Sequence, residues 1–199
     1  MTKVYCTPQE PDDYALFYEG NIRFTPQIED GDEDERNIGK ITFWLFDPYR
    51  AAEADVPMCD LLDAPSAETA ELLELFPNDD WSPQVVAALG GSPPSAGILF
   101  LERMDIGEQW RGRGIGLVVA DTIIRAYSAD CGIVALKPFP VQFSGKGDDP
   151  NYRPALQKLK RYWSRLKTKR VKGSDLLIID PDLTRPTIDE ILARRKPTR

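Results

Sequence analysis

The chain has 199 residues, 42% of them hydrophobic, and a formal net charge of −7. That size and apolar share suit one domain with one core. No apolar run approaches membrane-spanning length, and the acidic balance disfavours general nucleic-acid binding. Histidine is absent altogether, which excludes Ser-His and Cys-His nucleophilic arrangements and histidine-based metal sites.

Residues 20–28 read as a short strand, and the acidic run Glu29 to Glu35 as a loop. Gly39 to Phe46 is a second strand that can form a hairpin with the first. Asp30, Asp32 and Asp34 suggest a calcium loop, but Glu35 stands where the turn glycine belongs and Ile41 where the closing glutamate belongs, so no metal is expected. Ser66 and Thr69 introduce a helix through Phe76 that ends before Pro77. Ser82-Pro83 opens another, running to Gly90-Gly91. The run Ile98 to Ile106 is a buried strand. Ile115, Val118, Val119, Thr122, Ile123 and Ala126 then recur at helical spacing. Gly132 to Lys137 is a strand, residues 138–154 a long connection that could close over a site, and Leu156, Leu159, Trp163 and Leu166 one stripe of a basic helix. Leu176 to Ile179 is a late strand, and residues 185–192 form a short capped helix before a basic end. Cys6, Cys59 and Cys131 are widely spaced with no Cys-x-x-Cys pair, so neither a disulfide framework nor a zinc site is expected and a reducing cytoplasm is the default. The opening residues carry no signal-peptide pattern.

Between the strand at 98–106 and the following helix lies Gln109-Trp110-Arg111-Gly112-Arg113-Gly114-Ile115-Gly116. Glycine lets a ligand approach the main chain, and the first N–H groups of a helix lack internal partners, so the junction suits an anion. A P-loop would need Gly-Lys-Ser/Thr, which is missing. A dinucleotide fingerprint would need G-x-G-x-x-G, whereas position 117 is Leu. What remains is Arg-x-x-Gly-x-Gly, written by Arg111, Gly114 and Gly116.

On that loop and the order of elements around it, residues 95–180 resemble the GNAT superfamily of acyl-CoA-dependent N-acyltransferases. The resemblance implies an α/β (α+β) fold with a mixed, mostly antiparallel central sheet flanked by helices. It divides the single domain into a divergent half (1–94), an acyl-CoA-binding core (95–180) and a helical tail (181–199). It further implies acetyl-CoA as acyl donor, held in a splay between two parallel strands. Ile106 would meet the pantetheine arm, and Arg111, Gly112, Arg113, Gly114, Ile115 and Gly116 the diphosphate. The family often places a carboxylate base on the preceding strand, here Glu102 or Asp105. Its usual tyrosine acid aligns with Trp163, Tyr162 stands one residue earlier, and Lys167-Thr168 replaces Gly-Phe. Tyr162 is the candidate acid.

The function so implied is N-acetyl transfer to an amine: a small molecule, peptide or protein. The alternative is a catalytically inactive GNAT-like acyl-CoA-binding or protein-interaction module. Exposed sheet edges leave room for a homodimer. Charge is divided at the loop: residues 1–110 hold 6 Lys/Arg against 23 Asp/Glu, and residues 111–199 hold 19 against 9. The basic half could receive an anionic ligand and the acidic half attract a cationic acceptor, or the two halves could offset each other across the fold.

Overall fold

A computed structural model describes residues 10–25, 35–143 and 149–193. The calcium-loop residues, most of the acidic run and the middle of the long connection lie outside these. The first strand, β1 (Ala15–Phe24), pairs antiparallel along its length with β2 (Arg36–Phe46). It therefore begins and ends earlier than the residue pattern predicts. β2 draws on Ala15 to Gly20 as partners for Phe46 to Ile41, and this pairing outweighs the weak alternation of β1 itself.

Four short helices follow: α1 (Pro48–Glu53), α2 (Met58–Asp63), α3 (Ala67–Ala70) and α4 (Pro83–Leu89). The first has a readable start, since the Asp47 side chain accepts the Arg50 N–H and Pro48 occupies the first turn. The helix expected through Phe76 is α-helical only to Ala70 and tightens to a 3-10 turn over Glu71–Leu75. Ser66 and Thr69 form its capping box. Then come β3 (Ile98–Ile106), α5 (Ile115–Tyr127), β4 (Ile133–Leu136), α6 (Tyr152–Trp163), β5 (Lys169–Arg170), β6 (Leu177–Ile179) and α7 (Ile188–Leu192).

The six strands form one open, mostly antiparallel sheet in the order β1-β2-β3-β4-β6-β5. The parallel step is β3 to β4, and α5 is its crossover. Both faces are covered. Leu61, Leu62, Leu72, Leu75 and Val85 from the early helices pack on Phe46, Phe100, Ile133 and Ile178. On the other face Leu117, Ala120, Ile124, Leu166 and Ile191 meet Leu99, Leu101, Val134 and Ile179. Burial on two sides is why β3 and β4 read as unbroken apolar runs rather than as alternation. A fully buried side chain such as Phe100 contributes about 1.5–3 kcal/mol.

The buried residues of α5 are Gly116, Leu117, Ala120, Asp121, Ile123 and Ile124. The stripe expected from periodicity is therefore rotated: Thr122 and Ala126 face solvent, and Asp121 faces inward. Among the described residues no helix is long and apolar enough to cross a membrane.

Candidate functional site

β3 and β4 pair only from Ile98/Ile133 to Leu101/Leu136. Beyond that β3 continues to Ile106, while the chain after Lys137 enters Pro138 and Pro140, which cannot donate to a ladder. The two strands part there. Against β2, Phe43 pairs with Leu101 and Thr42 with Arg103, so Glu102 is an extra residue, a bulge just beyond the last β3–β4 pair. Bulges redirect side chains and leave backbone groups outside the ladder. Glu102 is half-buried and has no hydrogen-bond or ion-pair partner among the described residues. Asp105 differs, because its carboxylate accepts Arg103 Nε at 2.7 Å.

The glycine loop leads into α5. Gly112 and Gly114 have φ of 74° and 81°, the left-handed region that glycine enters without penalty. A Cβ at Gly112 would meet nothing within 4 Å. At Gly114 it would lie 2.5 Å from Leu192 Cδ2 of α7, and at Gly116 it would lie 3.0 Å from the Tyr162 oxygen and 3.1 Å from Met104 Sδ. Two of the three glycines are thus closely packed by side chains of the chain itself. Gly114 caps α5 with no side-chain hydrogen bond, and the Leu117 and Val118 N–H groups reach its carbonyl. The N–H groups of Ile115 and Gly116 have no partner among the described residues.

Both loop arginines are engaged. Arg111 Nε donates to the Ile106 carbonyl at 2.8 Å. The Arg113 guanidinium lies 5.2 Å from the centre of the Trp110 ring, which packs on Phe24. Tyr162 comes from α6 to the same place, its oxygen accepting the Leu117 N–H at 3.1 Å. Burial pushes its phenol up, against smaller opposing effects of that N–H and of Arg165. The phenol therefore keeps its proton at neutral pH. Trp163, half-buried like Tyr162 against the same apolar layer, sets its ring edge-on to Tyr162 at 5.4 Å.

The structure thus brings together Met104, Ile106, Arg111 to Gly116 and Tyr162. It sets Asp105 in an ion pair on a more exposed part of β3. Arg165 and Leu192, which sequence reasoning passed over, also belong to this region; a single buried arginine and a leucine in a terminal helix carry no motif. A depression of about 360 Å³ lies elsewhere, lined by Pro83, Gln84, Ala87, Ala88, Arg170 and Lys172. Among the described residues no group of three or more His, Cys, Asp or Glu could hold a metal. No family model matches the chain, nor does any curated protein or solved structure.

Proposed function

We propose that the chain is an acetyl-CoA-dependent N-acetyltransferase of GNAT type, acting on an amine. The observation that carries the reading is a coincidence of place: the parallel strand pair parts beside the amino end of α5, where two N–H groups lack partners among the described residues. The strand order supports it as well, with three antiparallel strands, one parallel step, and β6 inserted between β4 and β5.

The residues present fit a diphosphate. Gly112 faces open space, and unpartnered donors at the positive end of a helix suit an anion. Residues 112–116 would hold that group and the Ile106 region the pantetheine arm. Acetyl-CoA, when bound, supplies the thioester. The chain's own residues then have two tasks. Glu102, unpartnered at the bulge, accepts the proton of the acceptor ammonium, directly or through water. Tyr162, protonated and half-buried beside Gly116, would donate its proton to the departing sulfur.

A second reading is a GNAT-like module that binds or docks without catalysis. It draws on the use of Gly114, Gly116, Arg111 and Arg113 by internal contacts.

Calorimetry with acetyl-CoA, coenzyme A and 3′-dephospho-coenzyme A, followed by thiol release with a panel of amines, separates the readings. Gly112→Asp and Gly112→Asn are the controls, since both residues tolerate a left-handed φ and only one adds charge. Binding weakened about tenfold or more by Asp and far less by Asn is expected, given the charge-assisted contacts at stake. Binding without thiol release favours an acyl-CoA-binding module, and no binding by the folded protein removes the acetyltransferase reading and leaves only a docking module.

A further inference from the structure

Tyr162 and Arg165 are three positions apart where α6 passes into a 3-10 turn over Ser164–Leu166. That spacing sets both on one side of the chain. The phenol oxygen already accepts the Leu117 N–H, so its own proton is left for another acceptor. Around it stand Met104 on β3, Gly116 and Leu117 on α5, and Trp163 on its own helix, none of them charged. The charge that acts on it is Arg165, which favours the ionised phenol against the effect of burial.

Arg165 is itself anomalous. Its Nε and Nη2 atoms are buried and have no hydrogen-bond partner among the described residues, although a guanidinium does not shed its charge. Buried polar groups in folded proteins are nearly always paired, and an exception calls for a reason. A cation left without a counter-ion beside a proton donor has one when a negative charge forms there in the course of a reaction.

We propose that Arg165 is a positioning residue for proton delivery, its guanidinium acting through Tyr162 to stabilise the phenolate left when that proton moves to the departing thiolate. This rests on the acetyltransferase reading of the same site. As the acceptor nitrogen bonds to the acyl carbon, the carbon–sulfur bond breaks with its electron pair on sulfur. The Tyr162 O–H bond then breaks, its proton goes to sulfur, and its electron pair stays on oxygen as an anion balanced by Arg165. The new amide nitrogen gives up its second proton to water, and water returns one proton to the phenolate.

The test is ultraviolet titration of tyrosine in the full-length free protein, for the wild type, Arg165→Gln and Arg165→Lys, each with the Tyr162→Phe counterpart subtracted to isolate one phenol among seven. The Tyr162 component is expected to move to higher pH in Arg165→Gln and to stay near the wild-type position in Arg165→Lys. In thiol release, kcat should fall about tenfold in Arg165→Gln with KM little changed, a modest share of what a general acid contributes. A Tyr162 titration that does not move in folded Arg165→Gln overturns the proposal. A titration that moves, with no thiol release by the wild type, removes the proton-delivery role together with the acetyltransferase reading.

Discussion

Gly114 illustrates how a residue can be read correctly as constrained and incompletely as to why. Its spacing points to a ligand approaching the backbone, whereas the nearest atom to its missing side chain is Leu192 Cδ2, from the other end of the sequence. Gly114→Ala meets two costs, a left-handed φ of 81° and that contact. A loss of about 1–2 kcal/mol is expected in urea denaturation. Because the obstacle is the tip of a flexible side chain, Leu192→Ala should relieve part of it. The double variant should then be more stable than the sum of the single losses by roughly 0.5 kcal/mol or more. Strict additivity would mean that the methyl group does not press on Gly114. The same caution covers Tyr162 and Trp163, one residue or about 100° of helix apart. Rotation brings the phenol to the Leu117 N–H at the α5 terminus while both rings pack on one apolar layer, and sequence could state the rotation but not which ring makes that contact.

α5 is the element to which the segment before α7 is tied. Its inward Asp121 is nearly sealed, with 4% of the side chain exposed. The carboxylate accepts Arg125 Nε at 2.7 Å, and Arg185 Nη2 and Nε at 2.8 and 3.2 Å. Arg125 Nη2 donates onward to the Pro186 carbonyl. This latch ties the segment before α7 to α5, and Thr187 with Glu190 then caps α7 so that Ile191 is buried. Removing one partner of a buried charge cluster leaves the others uncompensated, at a cost of about 3–5 kcal/mol. Asp121→Ala is expected to lie in that range and to raise amide exchange over residues 187–192. The paired replacement Asp121→Leu with Arg185→Met should recover most of the loss, and a cost below about 1 kcal/mol for Asp121→Ala would show the latch to be no stronger than a surface pair. The rotated apolar stripe of α5 has the same origin, because a partner 64 residues away makes an inward aspartate tolerable.

At the scale of the molecule, the sheet separates two apolar layers, one built with α1–α4 and one with α5 and the C-terminal elements. The division of charge along the sequence follows this arrangement in part. Lys137 and Glu71 form an ion pair at 2.5 Å that joins the acidic and basic halves. Two acidic groups of the second layer link its stability to pH. Cys131, buried just before β4, has its thiol pushed up to about 11, by burial first and by Asp130 second. Burial also raises the Tyr162 phenol. Below the ordinary thiol value of 9.0, the folded and unfolded chains both hold the Cys131 proton, and the contribution of that group is constant. Between that value and about 11 the unfolded thiol ionises first, so stability falls as pH rises. Denaturation midpoints should decline through that window, and Cys131→Ala should decline less steeply. Equal slopes would mean that the thiol is not coupled to folding.

By itself the sequence determined what local chemistry controls. This includes the strand and loop at residues 98–116, the helix that follows, and the absence of histidine chemistry. It also includes caps such as Ser66-Thr69 and Thr187-Glu190, because these depend on residues a few positions apart. β4 and the core of β6 were legible for a related reason, as strands covered on both faces show as short apolar runs. The start of β1, the tightening of the helix after Ala70, and the two-residue β5 were not. Each is set by a partner strand or layer distant in sequence. Only the tertiary structure could decide that Gly114 and Gly116 accommodate Leu192 and Tyr162, that Glu102 is a bulge where β3 and β4 part, and that Asp121 turns inward. Those features arise from contacts between segments tens of residues apart, and a side chain's role there depends on the shape and charge of what the fold brings against it.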